Sequence, residues 1–320
     1  MVPPMPLGIR PIVDFAFKKI FGSPQNSEAL IGLLNAILNL EKPVVSVDIL
    51  NPFSYQEFAE SKQIVLDVRC RDSAGRLLNV EMQIAAYPGL VERLVFYAGS
   101  MYVDQLPASG SYAALAPAIS ICLLNHHLFP DTKQAHHHFQ MVDTDSGRKL
   151  DKAIEVHMIE LPKYNLSQAT VMSASKLEQW VYLLLYAQDH EAATLKRLLS
   201  GIEFDTAIET IEVISKKTED KQMYDQREKL HRDQQWVLAG ARQEGLAEGL
   251  EQGLEQGLEQ GREEGREEGM KKGKLAGTIQ TLQLLLGDTI ATDADLQSCD
   301  LTMLESQIAQ LQQRLRERMA

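Results

Sequence analysis

The spacing of apolar and polar positions divides the chain into four segments. From residue 8 to about 165, short β-like apolar runs alternate with amphipathic helical stretches. Residues 166–238 carry helical spacing throughout, as in the stripe Leu177, Trp180, Val181, Leu184 and Leu185. Residues 239–277 place a glycine at every fourth position, and 278–320 return to an apolar period that predicts one or two short helices. Within the first segment, DFAFKKIFG predicts a helix over Asp14–Gly22, with Phe17, Ile20 and Phe21 inward and Gly22 closing it. Ser23-Pro24 opens a second helix through Leu40, since proline suits the first helical position. Strands are expected over Val44–Leu50, Ile64–Cys70 and Leu77–Ile84, a helix over Val91–Leu106, and further strands over Ala118–Leu124 and Val156–Leu161. This order predicts an α/β fold, a mixed sheet with helices, followed by an all-helical C-terminal region.

The hairpin from Lys62 to Ile84 carries the candidate chemistry. Its turn, Asp72-Ser73-Ala74-Gly75-Arg76, is a three-residue loop with glycine at the position that needs a positive φ. Pairing Asp72 with Arg76 fixes the register. Asp67 then faces Glu81, Val65 faces Gln83 and Arg69 faces Asn79, while Ile64–Ile84, Leu66–Met82, Val68–Val80 and Cys70–Leu78 form a wholly apolar opposite face. Two carboxylates directly across a strand pair repel. A divalent cation reverses that sign, and Mg²⁺ is commonly held by one or two carboxylates with substrate phosphate and water. The pattern alone still favours a solvated hairpin face, where Asp and Glu are common, over a metal site.

Composition narrows the classes. The 320 residues are 44% hydrophobic and 24% charged, ordinary globular usage. No apolar run reaches the length of a membrane span, so no membrane partner is expected. The opening MVPPMPLGIRP lacks a basic start and an apolar core, and Cys70, Cys122 and Cys299 lack paired spacing. A reducing, cytoplasmic setting is therefore expected. Net charge is −12, of which residues 1–150 contribute only −2, so the acidity lies mainly C-terminal. Five histidines (His126, His127, His136, His137, His138) read as a surface loop following a strand, without zinc spacing. Trp180 and Trp236 read as packing residues on helical stripes.

The strings Asp14-Phe-Ala-Phe-Lys18-Lys-Ile-Phe-Gly22, Leu34-Asn-Ala-Ile-Leu38, Leu66-Asp67-Val68 and Val80-Glu81-Met82-Gln83, with Arg93 and Tyr97, resemble the Rpn family. These are recombination-promoting nucleases, often labelled transposases, of the PD-(D/E)XK nuclease superfamily. The resemblance covers roughly residues 8–165, and weakly the helical region beyond. It implies a restriction-endonuclease-like mixed-sheet core and a Mg²⁺-dependent DNA endonuclease linked to recombination or mobile elements. By this resemblance Asp67 and Glu81 are the metal ligands, and Gln83 completes the catalytic set where the wider superfamily has Lys. Asp14, Lys18, Arg93 and Tyr97 border the site or meet phosphate. The alternative is an inactive nuclease fold that binds DNA and self-associates through its helical tail.

The glycine repeat, Gly245 to Gly277, allows three readings. Glycine is about 1 kcal/mol worse than alanine in a helix, while the intervening Leu, Glu, Gln, Arg and Lys favour one. A period of four drifts about 40° per step against 3.6 residues per turn. The readings are a long helix whose glycine stripe lets another helix approach, a flexible charged spacer, and a repeat with no selected structure. A long, marginally stable helix is expected, with a homo-oligomer through 240–277 as the hypothesis it raises.

Overall fold

The structure, a computed structural model, describes residues 5–56, 67–85, 88–107, 110–150 and 153–319, with backbone alone at Asp67 and Met319. It divides into two compact units, Met1–Trp236 and Val237–Ala320.

The described residues of the first unit form one six-stranded sheet. Its strands are β1 (Val47–Ile49), β2 (Asp67–Asp72), β3 (Leu77–Gln83), β4 (Ala118–Leu124), β5 (His136–Gln140) and β6 (Ile154–Glu160). The spatial order is β1-β2-β3-β4-β6-β5. β3, β4 and β6 are parallel, whereas β1, β2 and β5 pair antiparallel with their neighbours. The helices are α1 (Asp14–Phe21), α2 (Ser27–Leu38), α3 (Leu90–Val103), α4 (Lys176–Tyr186), α5 (Ala192–Leu198), α6 (Ile202–Lys216) and the start of α7 (Thr218–Leu286).

Both sheet faces are covered, which explains why β4 reads AISICLL without polar alternation. On one face, Val68, Cys70, Leu78, Val80, Met82, Ile119, Ile121 and Ile159 join the main core with Phe15, Phe17 and Phe21 of α1. Trp180 of α4 lies between Phe21 and Phe204, with ring centroids at 5.6 and 4.6 Å. Each such buried ring contributes about 2–3 kcal/mol. Gly32 lets α2 and α6 approach closely, since a Cβ there would lie 2.5 Å from that of Glu203. On the other face, Leu90 and Leu94 of α3 cover Cys122, Leu124, Val156 and Met158.

The expected mixed α/β fold is the observed one. β4 has the expected bounds, whereas the strand expected over 44–50 narrows to Val47–Ile49. Asn39 ends α2 in the left-handed region, φ 44° and ψ 53°, a cap that asparagine tolerates.

Two expectations are corrected. His136, His137 and His138 are not in a loop but form edge strand β5 against β6. Their partners are cross-strand and therefore invisible to local pattern. His138 stacks on His157 with ring centroids 4.1 Å apart, and its Nε2 lies 2.6 Å from Glu155 Oε2. Burial first, then neighbouring imidazoles, push His136 down to about 4, and burial lowers His157 as well. Burial opposes the Glu155 carboxylate, yet the His157 and His138 imidazoles beside it outweigh that and hold the carboxyl down to about 2. The second correction is Trp236, which is 84% exposed and packs in no core.

In the second unit, α7 carries the whole glycine repeat as helix, and a Cβ at any of these nine glycines would meet nothing within 4 Å. Beyond it, α8 (Asp293–Gln297) and α9 (Leu301–Met319) pack on the end of α7 through Ile279, Leu296, Leu304 and Leu311. Thr292 and Asp295 form a capping box, and Arg314 grips Asp288 with bonds of 2.7 and 3.1 Å. No helix among the described residues is long and apolar enough to cross a membrane.

Candidate active site

The site is built by the β2–β3 hairpin. Gly75 takes φ 80°, and Asp72 locks the turn: its Oδ1 accepts from the amides of Ala74 and Arg76, each at 2.9 Å, and its Oδ2 from Arg76 Nε at 2.6 Å. The turn sets the expected register, with Asp67 opposite Glu81, Val68 opposite Val80, Arg69 opposite Asn79 and Cys70 opposite Leu78. The remaining expected pairs, Val65–Gln83, Ile64–Ile84 and Leu66–Met82, involve positions outside the described residues.

Glu81 is 2% exposed, which removes the reading of a solvated hairpin face for this acid. Its Oε1 accepts from Asn79 Nδ2 at 3.0 Å. Its Oε2 accepts from Gln83 Nε2 at 3.2 Å and from Arg93 at 3.0 Å. Asn79, Glu81 and Gln83 share one face of β3 by the two-residue period, and α3 brings Arg93 over that face. Burying this carboxylate is tolerable only because a cation and two amides meet it. Arg93 differs from its partner in keeping a side chain that is 39% exposed. Tyr97, one turn further along α3, lies under two guanidinium groups, 5.8 Å from Arg69 and 6.0 Å from Arg93. Behind the site, burial and then the Glu81 charge push the Cys122 thiol well above its ordinary range, so it stays protonated.

Several polar atoms here have no hydrogen-bond partner: Asn79 Oδ1, Ser120 Oγ and Arg93 Nε are all buried. Asn79 and Ser120 face each other across β3 and β4. A carboxylate with an unclaimed amide oxygen and hydroxyl beside it is a hard oxygen donor set, suited to Mg²⁺ rather than to a softer metal. Asn79 and Ser120 were missed in the sequence. Asn79 could have been found, because it lies two residues before Glu81 on the same strand face.

The structure thus brings together Glu81, Gln83, Arg93 and Tyr97, with Asp67 in register across the hairpin. Asp14 and Lys18 sit elsewhere in their contacts. Both are fully buried on α1. Asp14 meets α7, with Arg227 at 3.6 Å and His231 at 3.5 Å. Next to them Lys19 pairs with Asp220 at 2.6 Å, and Tyr55 donates to the same carboxylate at 2.8 Å. The DFAFKK string therefore ties the first helix to α7.

Neither a curated protein nor a solved structure matches the chain. A family model described as PD-(D/E)XK nuclease family transposase matches residues 11–241. That span takes in the hairpin with Asp67 and Glu81, α3 with Arg93, and the first turns of α7 that hold Asp14. With this site and this match over more than half of its length, the chain belongs to the PD-(D/E)XK nuclease family transposases.

Proposed function

We propose that the protein is a Mg²⁺-dependent DNA endonuclease of the Rpn type, linked to recombination or mobile elements. The observation that carries this reading is the buried Glu81 carboxylate, registered opposite Asp67 and surrounded by Asn79, Gln83 and Arg93. Asp67 and Glu81 would hold Mg²⁺, with Asn79 Oδ1 as a further oxygen donor. Mg²⁺ held there would supply Lewis-acid polarisation of a phosphate oxygen and acidification of a bound water. Gln83 donates its amide N–H to Glu81, which leaves its carbonyl oxygen to orient that water. Arg93, open to solvent on one side, meets the phosphate and stabilises charge that develops during attack. Tyr97 holds the guanidinium groups of Arg93 and Arg69 in place. Asp14 and Lys18, on α1, border β2 from the opposite face of the sheet.

Plasmid nicking tests the reading. The native chain should nick DNA with Mg²⁺ and fail with Ca²⁺ or EDTA, and Asp67→Ala should fail under all three conditions. Nicking that survives both EDTA and the substitution would overturn the assignment.

The homo-oligomer belongs to the same proposal. Leu246, Leu250, Leu254 and Leu258 are each about two-thirds or more exposed on α7, beside glycines that keep the helix slim. A second copy of this helix is the occupant best matched to such a stripe. In analytical ultracentrifugation the full chain should sediment as an oligomer and a chain lacking 240–277 as a monomer. Monomers in both cases would remove oligomerisation while leaving the nuclease reading intact.

A further inference from the structure

A second cluster of ligating atoms lies on the other side of the sheet. Glu155 and His157 of β6 register with Ile119 and Ile121, whose side chains enter the main core beneath α1, α2 and α4. Glu81 registers with Cys122, which faces α3. The two groups therefore occupy opposite faces, and their donors differ in kind. Glu81 and its neighbours offer oxygen, whereas the β5–β6 cluster offers two imidazoles and one carboxylate.

Its geometry is convergent. His138, Glu155 and His157 each place a donor atom within 4.8 Å of the other two. His138 Nε2 is 2.6 Å from Glu155 Oε2, and His157 Nε2 is 3.8 Å from the same oxygen. Donors around a tetrahedral Zn²⁺ at about 2.0–2.2 Å are separated by about 3.4 Å, a spacing between these two values. The His138 and His157 rings stack at 17°, so the half-exposed His138 ring must tilt off its neighbour for both nitrogens to aim at one ion.

Two further observations point to an ion rather than to a self-contained hydrogen-bond cluster. His157 is 2% exposed, yet its Nε2 has no hydrogen-bond partner, a loss that a bound cation would remove. Its other nitrogen, Nδ1, lies 2.9 Å from His136 Nε2. With the proton on Nδ1 donated to His136, His157 presents a bare Nε2 lone pair to the cluster. A ligating histidine commonly donates its second ring N–H to a neighbour in this way.

We propose that His138, Glu155 and His157 form a binding site for Zn²⁺, or a first-row divalent cation of similar softness, with His136 orienting His157. Two imidazoles and a carboxylate select such ions over Mg²⁺ and Ca²⁺. The site opens on a groove of about 920 Å³ that reaches Asn39 on the α2 cap and Lys176 on α4. Three protein ligands leave a coordination position for water or a small anion on that side. The bound ion clips edge strand β5 onto β6. This goes beyond the nuclease reading and does not depend on it.

Equilibrium dialysis of the full chain against Zn²⁺ alone, read by elemental analysis, tests the site. One equivalent should bind to the native chain and equally to Glu81→Gln, which alters only the opposite face. His138→Ala removes a half-exposed ligand and should weaken binding at least 100-fold. His136→Ala should weaken it by about 10–100-fold through misorientation of His157. Glu155→Gln, which keeps the shape of the cluster, provides a second ligand deletion should His138→Ala fold poorly, and should also weaken binding at least 100-fold. Binding well below one equivalent, or one equivalent unchanged in a folded His138→Ala or Glu155→Gln, would overturn the proposal.

Discussion

Glu81→Gln is expected to lower Mg²⁺-dependent nicking by about 10³-fold while shifting the thermal midpoint only slightly. On the proposed reading, the size follows from removing a metal ligand and its charge from a buried site, where a single misplaced polar group already costs about 10²–10³ in rate. The small stability effect follows from local geometry. Glutamine keeps the volume of the side chain, and Arg93 is exposed enough to be solvated when its anion is gone. The amide does replace one acceptor atom with a donor among three incoming N–H groups, from Asn79, Gln83 and Arg93, at a cost of about 1 kcal/mol. A single-turnover nicking assay beside a melting curve measures both quantities. Activity within about threefold of the native chain would mean that the carboxylate only fills space.

Asp14→Ala should act the other way, losing about 3–5 kcal/mol of folding stability in urea denaturation. Asp14 is fully buried, and its removal strips a negative partner from Arg227 and His231, which are themselves nearly buried. Removing one side of a buried ion pair takes away an attraction while its partners stay desolvated, and that is where the cost arises. Per folded molecule, nicking should remain within a few-fold of native. A stability change under about 1 kcal/mol with cleavage abolished would instead move Asp14 into the reacting centre.

The hairpin was legible because local rules over-determined it. A glycine at the one turn position that needs positive φ, and an apolar face that only one register produces, both led to Asp67 opposite Glu81. The bounds of β4 were legible because a continuous apolar run behind Pro117 has few other uses. What escaped notice depended on distant partners. His136–Gln140 shows no apolar alternation, and it is a strand because β6, some twenty residues later, supplies Glu155 and His157 to meet it. The covering of Glu81 was likewise not local, since α3 and Arg93 decide it. In α1, the periodicity placed Phe17 and Phe21 inward correctly, but the partners of Asp14 lie more than two hundred residues away.

That last distance bears on how the protein is made. Leu7 bonds to the carbonyl of His190, the amide of Arg10 donates to the Tyr224 hydroxyl, and Lys19 and Asp14 find their counter-charges at Asp220, Arg227 and His231. In a nascent chain growing at about 5–20 residues per second, Asp14 and Lys19 of the first helix stay solvated and cannot take up their counter-charges until residue 231 has emerged from the ribosome. The sheet-bearing unit is therefore sealed from both ends of its own span, and a fragment ending before α7 emerges with that seam open.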